Sequence, residues 1–337
     1  MIEPDSEPRA TDNIDSIISL IEILIEKGHA YEGDSDVYFS AESFDSYGKL
    51  SRRNLEDMLA GARVDVDTDK KNPADFVLWK KNTEGLKWDS PWGAGRPGWH
   101  IECSAMSMDA LGETFDIHGG GSDLKFPHHE NEIAQSECVT GKEFAKVWMH
   151  TGSLRIDKEK MSKSLKNFVT IKDALEINSP EVLRLFLISS HYRSPLNYSE
   201  VGLNEAKNSL DRLYNSLQDL DYETKEYFQT KYSDKFHKAM GDDFNTPSAI
   251  SVLFEIARQI NTLKKENKFE EASLLAKELV SLSSILGLLQ DKAQNYFTEG
   301  IGISDEEIEG YILKRNQARQ EKDFELSDKI RDELLEK

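Results

Sequence analysis

Three clusters between Gly98 and Ser164 carry the side chains able to do chemistry. They are Gly98-Trp-His-Ile-Glu-Cys103, His118-Gly-Gly-Gly-Ser-Asp-Leu-Lys-Phe-Pro-His-His-Glu-Asn-Glu132 and Lys160-Met-Ser-Lys-Ser164. His128 and Glu132 stand four residues apart, a spacing that brings an imidazole and a carboxylate to one face of a helix, and Pro127 suits the first turn of that helix. Cys103 adds a thiolate, giving the soft, mixed donor set that zinc takes. His129 and Glu132 share a face too, so spacing leaves both histidines open as ligands. Taken singly these features are ordinary: a lone cysteine is usually a small core residue, and a His with a Glu four residues on is usually a surface pair.

The elements around the clusters must deliver them to one place. Thr114-Phe-Asp-Ile-His118 reads as a buried strand that passes through a Gly119–Gly121 turn into a helical segment. Strand, glycine turn and helix are how parallel sheets build nucleotide sites. The glycines admit backbone N–H groups close to a ligand, and Asp123 beyond them can accept from ribose hydroxyls. Alone, the glycine run is also consistent with a plain tight turn. The third cluster places two lysines and two hydroxyls around one methionine, in a loop after the strand-like Val147-Trp-Met-His150. Lysines are compact point charges suited to neutralising a triphosphate as it loses pyrophosphate. The bland reading, a solvated basic loop, fails on the specificity of the string.

Lys160-Met-Ser-Lys-Ser164 resembles the signature loop of class I aminoacyl-tRNA synthetases, and the two upstream clusters resemble those of cysteinyl-tRNA synthetases. The resemblance covers essentially the whole chain, with Gly93 to Ser104 and Asp116 to Ser136 as its longest stretches. It implies that Cys103, His128 and Glu132 are three of four zinc ligands and that Trp99 lines the cysteine pocket. It further implies that Gly121 and Asp123 hold the ribose of ATP and that Lys160 and Lys163 form the catalytic loop, with Lys163 touching ATP. Cofactors on this reading are one Zn2+ per chain and Mg2+ with the ATP. The implied reaction joins cysteine and ATP as cysteinyl-adenylate, then passes the cysteine to the 3′ end of tRNA-Cys.

Two departures from the family pattern stand out. Nothing matches its His-x-Gly-His element or its first zinc-ligating cysteine, so the expectation is an N-terminally incomplete ligase. Such a chain is expected to be poorly active alone, and to be a monomer or to be completed by a separate N-terminal half. In Leu165-Lys166-Asn167, moreover, a lysine stands where the family has glycine.

Composition sets outer bounds. A chain of 337 residues has room for two or three domains. Its two cysteines, Cys103 and Cys138, make no disulfide framework, and Cys138 reads as structural. With no bilayer-length apolar run and no signal-type start, the expected location is cytoplasmic. A net charge of −20 opposes RNA binding, unless contacts use local patches. Two such patches are Arg155, Lys158, Lys160, Lys163, Lys166 and Lys172, and then Lys314, Arg315, Arg319 and Lys322.

The expected fold is α/β plus all-α: a partial Rossmann-like class I nucleotide fold with an α+β insertion, followed by a helical bundle. Its blocks are 1–97 (insertion and lead-in loop), 98–150 (second half of the catalytic domain), 151–209 (signature loop and stem contact), 210–300 (bundle) and 301–337 (start of an anticodon-binding domain). Within them, helices are expected over Ile14 to Ile25, Ser51 to Ala60, His100 to Leu111, Tyr198 to Leu220, Phe269 to Val280 and Ser281 to Leu289. Others open at Ser179-Pro-Glu181, at Thr246 as cap, and at Ser304, the last as a pair split near Asp323. Strands are expected at Asp36 to Phe39 and Val64 to Asp67, with Lys81 to Pro97 as loop. Three rival functions stay in view: a cysteine:amino-sugar ligase without tRNA, a non-catalytic tRNA-binding fragment, and a helical protein with a structural zinc.

Overall fold

Apolar side chains at helical spacing from Ile14 onward fold as α1 (Ile14–Glu26), which buries Ile17, Ile21 and Leu24 completely and stops where Gly28 takes a φ of 81°. The computed structural model describes residues 3–53, 69–81, 84–156, 159–161, 167–222, 230–298 and 305–335. The expected strand at Val64 and most of the expected helix from Ser51 lie outside them, and Ser51 to Arg53, which lie inside, are not helix, Ser51 and Arg52 forming a turn.

The chain divides into two units, one of Met1–Leu165 with Tyr192–Asn197, the other of Lys166–His191 with Tyr198–Lys337. In the first, β1 (Ala30–Glu32), β2 (Asp36–Phe39), β3 (Phe76–Lys81) and β4 (Gly95–Pro97) form an antiparallel sheet in that order. Both β3 and β4 escaped the sequence reading. The stretch taken as a loop from Lys81 to Pro97 ends in a strand, because β3 supplies partners for Gly95, Arg96 and Pro97. There is no room for side chains on the inner edge of this junction. A Cβ on Gly95 would run into the carbonyl of Lys80, and one on Gly98 into that of Val77. One core joins α1, the sheet and the helices that follow, through Ile17, Leu24, Phe39, Leu78, Trp79, Ile101 and Ala134, with Cys138 packed against it.

Directly after Gly98 comes α2 (Trp99–Leu111), then β5 (Phe115–Gly121), an irregular turn over Lys125–His129, α3 (Glu130–Thr140) and β6 (Ala145–Thr151). β5 and β6 pair in parallel, Gly119, Gly120 and Gly121 opposite Met149, His150 and Thr151. The three glycines are therefore strand, not turn, since β6 offers their backbone groups partners that a local turn would have had to replace. The turn comes later, where Leu124 N–H donates to Gly121 O at 3.0 Å. Nor is the strand buried throughout: Phe115 is, whereas Ile117 is 55% exposed. A hairpin of β7 (Leu154–Ile156) and β8 (Glu159–Lys160) follows, and β7 is flanked by β9 (Leu196–Tyr198).

The second unit is helical: α4 (Ile171–Ile177), α5 (Pro180–Ile188), α6 (Glu200–Leu217), α7 (Lys231–Gly241), α8 (Thr246–Lys265), α9 (Phe269–Ile285), α10 (Ala293–Thr298), α11 (Asp305–Gln320) and α12 (Phe324–Leu335). Ser179 caps α5 through Val182 N–H as its Ser-Pro-Glu sequence predicts. Leu210, Leu213, Leu217, Val252, Leu253 and Ile256 are buried in the core of this unit. Asp323 separates the last two helices and accepts from Leu326 N–H. Two expectations are corrected. Asn245, not Thr246, caps α8, because the Thr246 hydroxyl donates instead to Ile188 O at 2.7 Å. Phe269 to Ile285 is one helix, its middle held by buried Leu279 and Leu282.

Candidate active site and metal-ligand cluster

Cys103 is the fifth residue of α2, and its thiol is held well above the ordinary range. Burial, then Glu132 and Glu102, push it up to about 12. A thiolate at this depth requires a cation beside it. His128 sits in the irregular turn and Glu132 in the first turn of α3. Pro127 therefore does not open a regular helix: Phe126 before it is extended, with φ −144° and ψ 132°. The pair still converges, His128 Nε2 standing 3.7 Å from Glu132 Oε1. Ligand atoms of Cys103, His128 and Glu132 all lie within 4.8 Å of one another.

His129 also reaches Glu132, through Oε2 at 3.9 Å, but its neighbours differ. It belongs to a second group with His118, whose Nε2 is 2.9 Å from the same Oε2. Its own Nδ1 pairs with His150 Nε2 at 2.8 Å. Gly120 makes this approach possible, for a Cβ there would stand 2.7 Å from His129 Cε1. Glu132 is wholly buried, with one oxygen engaged by His118 and the other, Oε1, without a hydrogen-bond partner. An unpaired buried carboxylate oxygen is costly, and it faces the thiol and imidazole side of the cluster. The residues fit a zinc ion: one sulfur, one nitrogen and one oxygen donor, with the oxygen unsatisfied.

The outer imidazoles set the ring orientations. His100 Nδ1 and His128 Nδ1 are 2.8 Å apart, so one donates and the other accepts, and His128 Nε2 is left facing Glu132. Burial, and then its neighbour His128, lowers His100 to about 4; burial and the surrounding histidines lower His129 to about 3. These rings are neutral at neutral pH, the form in which imidazole ligates. Trp99 is 61% exposed and lies over the cluster, its ring 4.6 Å from that of His128.

Gly121 closes β5, and the Asp123 carboxylate folds back to within 2.5 Å of where a Gly121 Cβ would stand, an approach that a larger residue there would push aside. This is the carboxyl end of a parallel strand, where α/β folds receive ligands. Lys160 lies on β8, and Lys163 lies outside the described residues. His100, His118, His129 and His150 were given no settled role by sequence reasoning. Their only signal was histidine density within and beside the quoted clusters.

Residues 1–208 match the family model described as the tRNA synthetases class I (C) catalytic domain, and residues 235–290 match the DALR domain. Cysteine–tRNA ligases of Hahella chejuensis and Marinomonas sp. are each 54% identical to the chain, over 100% and 98% of it. The chain belongs to the cysteine–tRNA ligase family. It spans 74% and 73% of the length of these two family members. In fold it is similar to Mycobacterium tuberculosis methionyl-tRNA synthetase bound to methionyl-adenylate, with a TM-score of 0.57 at 13% identity over 85% of this chain and 73% of that one. It is also similar to a putative arginyl tRNA synthetase of Campylobacter jejuni, with a TM-score of 0.53 at 13% identity over 87% and 65%. The ligase family and its class I fold with a helical C-terminal region thus agree with what the three clusters implied.

Proposed function

We propose that the Trp99 cluster is the cysteine-recognising end of a cysteine–tRNA ligase site, with Cys103, His128 and Glu132 holding one zinc ion. The observation that carries this reading is the buried Oε1 of Glu132, without a hydrogen-bond partner and 3.7 Å from the His128 imidazole, in a group whose ligand atoms, the Cys103 sulfur included, lie within 4.8 Å of one another. Bound there, zinc supplies a soft Lewis acid that takes a substrate thiolate far better than a serine hydroxyl. Without such a group, an apolar pocket separates such similar side chains by only about ten- to two-hundredfold.

The chain's own residues do the rest. His118 holds Oε2 of Glu132 and so turns Oε1 toward the metal position. His100 fixes the ring of His128. Trp99 presents an aromatic wall beside the donors, where it shields the substrate side chain from water. Gly121 and Asp123 receive the ribose of ATP at the end of β5, and Lys160 and Lys163 neutralise the triphosphate, with Mg2+ accompanying it. The acceptor of the activated cysteine is tRNA-Cys.

Metal analysis after exhaustive dialysis tests the assignment. The unaltered chain should retain about one zinc, and Cys103→Ala or His128→Ala should lose most of it, as the loss of one donor of three requires. Zinc content unchanged by both substitutions would remove these residues from the ligand set.

A further inference from the structure

The ligand helix is gripped on its other side by a segment that takes no part in the chemistry described so far. Glu130, two residues from both His128 and Glu132, is fully buried. Its Oε1 accepts from the backbone N–H of Gly48 at 3.0 Å and of Leu50 at 3.2 Å, and its Oε2 from that of Ser51 at 2.8 Å. Next to it, buried Asn131 accepts through Oδ1 from the hydroxyl of Tyr47. One turn and a half further on, Lys49 Nζ meets Glu137 Oε2 at 2.6 Å. At the other end the Arg53 guanidinium lies 4.9 Å over the ring of Phe126. Residues 47–53 thus run as a strap along the irregular turn and the start of α3, the junction that carries both His128 and Glu132.

We propose that Glu130 is a positioning residue of the metal site, acting through this strap. The irregular turn is fixed by few backbone bonds of its own, among them His129 N–H to Leu124 O at 2.9 Å and Glu130 N–H to Pro127 O, so the placement of His128 relative to Glu132 gains from an outside hold. Three amides on one buried carboxylate supply it, and Gly48, at φ 95°, gives the strap the turn that aims two of them. A carboxylate is the one side-chain end that fits: it has two acceptor oxygens and no donor. In Glu130→Gln the carboxamide can keep its oxygen toward Gly48 and Leu50, but its NH2 then faces the Ser51 N–H, donor against donor. The strap lifts there, and the junction gains freedom.

The inference rests on the zinc reading above, and the test separates the two. The full chain is loaded with zinc and challenged with a chromophoric chelator to give a release rate. A cobalt-loaded sample gives the d–d absorption bands, which report ligand geometry. Glu130→Gln should release zinc about tenfold faster and shift the cobalt bands. Tyr47→Phe, a milder change that loosens the strap at its neighbouring contact, should lie between it and the parent, and serves if Glu130→Gln does not fold. Lys49→Ala, which breaks a half-exposed ion pair on the same strap, should leave both readouts unmoved. Parent-like release and bands in Glu130→Gln and Tyr47→Phe, with a parent that binds metal, would overturn the positioning role alone. A parent that binds no metal would overturn the zinc reading and this inference together.

Discussion

The two oxygens of the Glu132 carboxylate have opposite surroundings, and that asymmetry organises the site at the scale of single residues. One oxygen is engaged by His118, while the other lies 3.7 Å from His128 Nε2, beyond hydrogen-bond distance. Trp99 is the counterpart on the open side, exposed yet packed at a tilt against a ligand candidate. Because it is exposed, its removal should scarcely move the unfolding temperature, surface changes costing within about 0.5 kcal/mol. Because it walls the donors, the zinc-loaded Trp99→Ala chain should bind cysteine about tenfold more weakly by calorimetry, the worth of one aromatic contact of about 1.4 kcal/mol. A lowered unfolding temperature with unchanged cysteine affinity would make Trp99 a packing residue instead.

At the scale of elements, caps and packing decide where helices begin. Asn245 accepts from Ser248 N–H at the start of α8, so Asn245→Ala should cost about 1 kcal/mol, read as a lower urea midpoint with an unchanged slope. An unchanged midpoint would return the cap to Thr246, where sequence reasoning put it. That misplacement is instructive, since Asn245 and Thr246 are both good caps locally and only the distant carbonyl of Ile188 claims the threonine hydroxyl. Ser281 misled in the same way: a serine that looks like a cap sits inside α9, its neighbours Leu279 and Leu282 buried and its carbonyl accepting from the Ser284 hydroxyl. Elements whose signals are local, such as α1 with Gly28 or α5 with Ser179, were legible. Gly119 to Gly121 were not, because what makes them strand is a parallel partner some thirty residues away. The site divides along the same line. Cys103, His128 and Glu132 were legible through the family resemblance, spacing alone leaving His128 and His129 both open, whereas the roles of His100 and His150 exist only once the fold brings other elements against them.

Over the whole molecule, a chain of net charge −20 is paired by family with a polyanion. Exposed Lys314 and Arg319 on α11 offer a local positive patch on that acidic body. Affinity for tRNA-Cys should therefore fall steeply with salt, and Lys314→Gln with Arg319→Gln should flatten the slope of log affinity against log salt by roughly one per contact removed. A slope that both substitutions leave intact would place the phosphate contacts elsewhere. In the first unit the antiparallel sheet and helices α2 and α3 share one core, and sheet and α2 are joined at Gly95 and Gly98, where backbone presses on backbone. Any side chain introduced at Gly98 acts there as a wedge. It would prise β4 from β3 and swing the start of α2, carrying Trp99 and Cys103 away from partners that are themselves unaltered. Such a variant would keep every reactive group and lose the site by displacement alone, a mechanical failure that no inventory of its side chains would disclose.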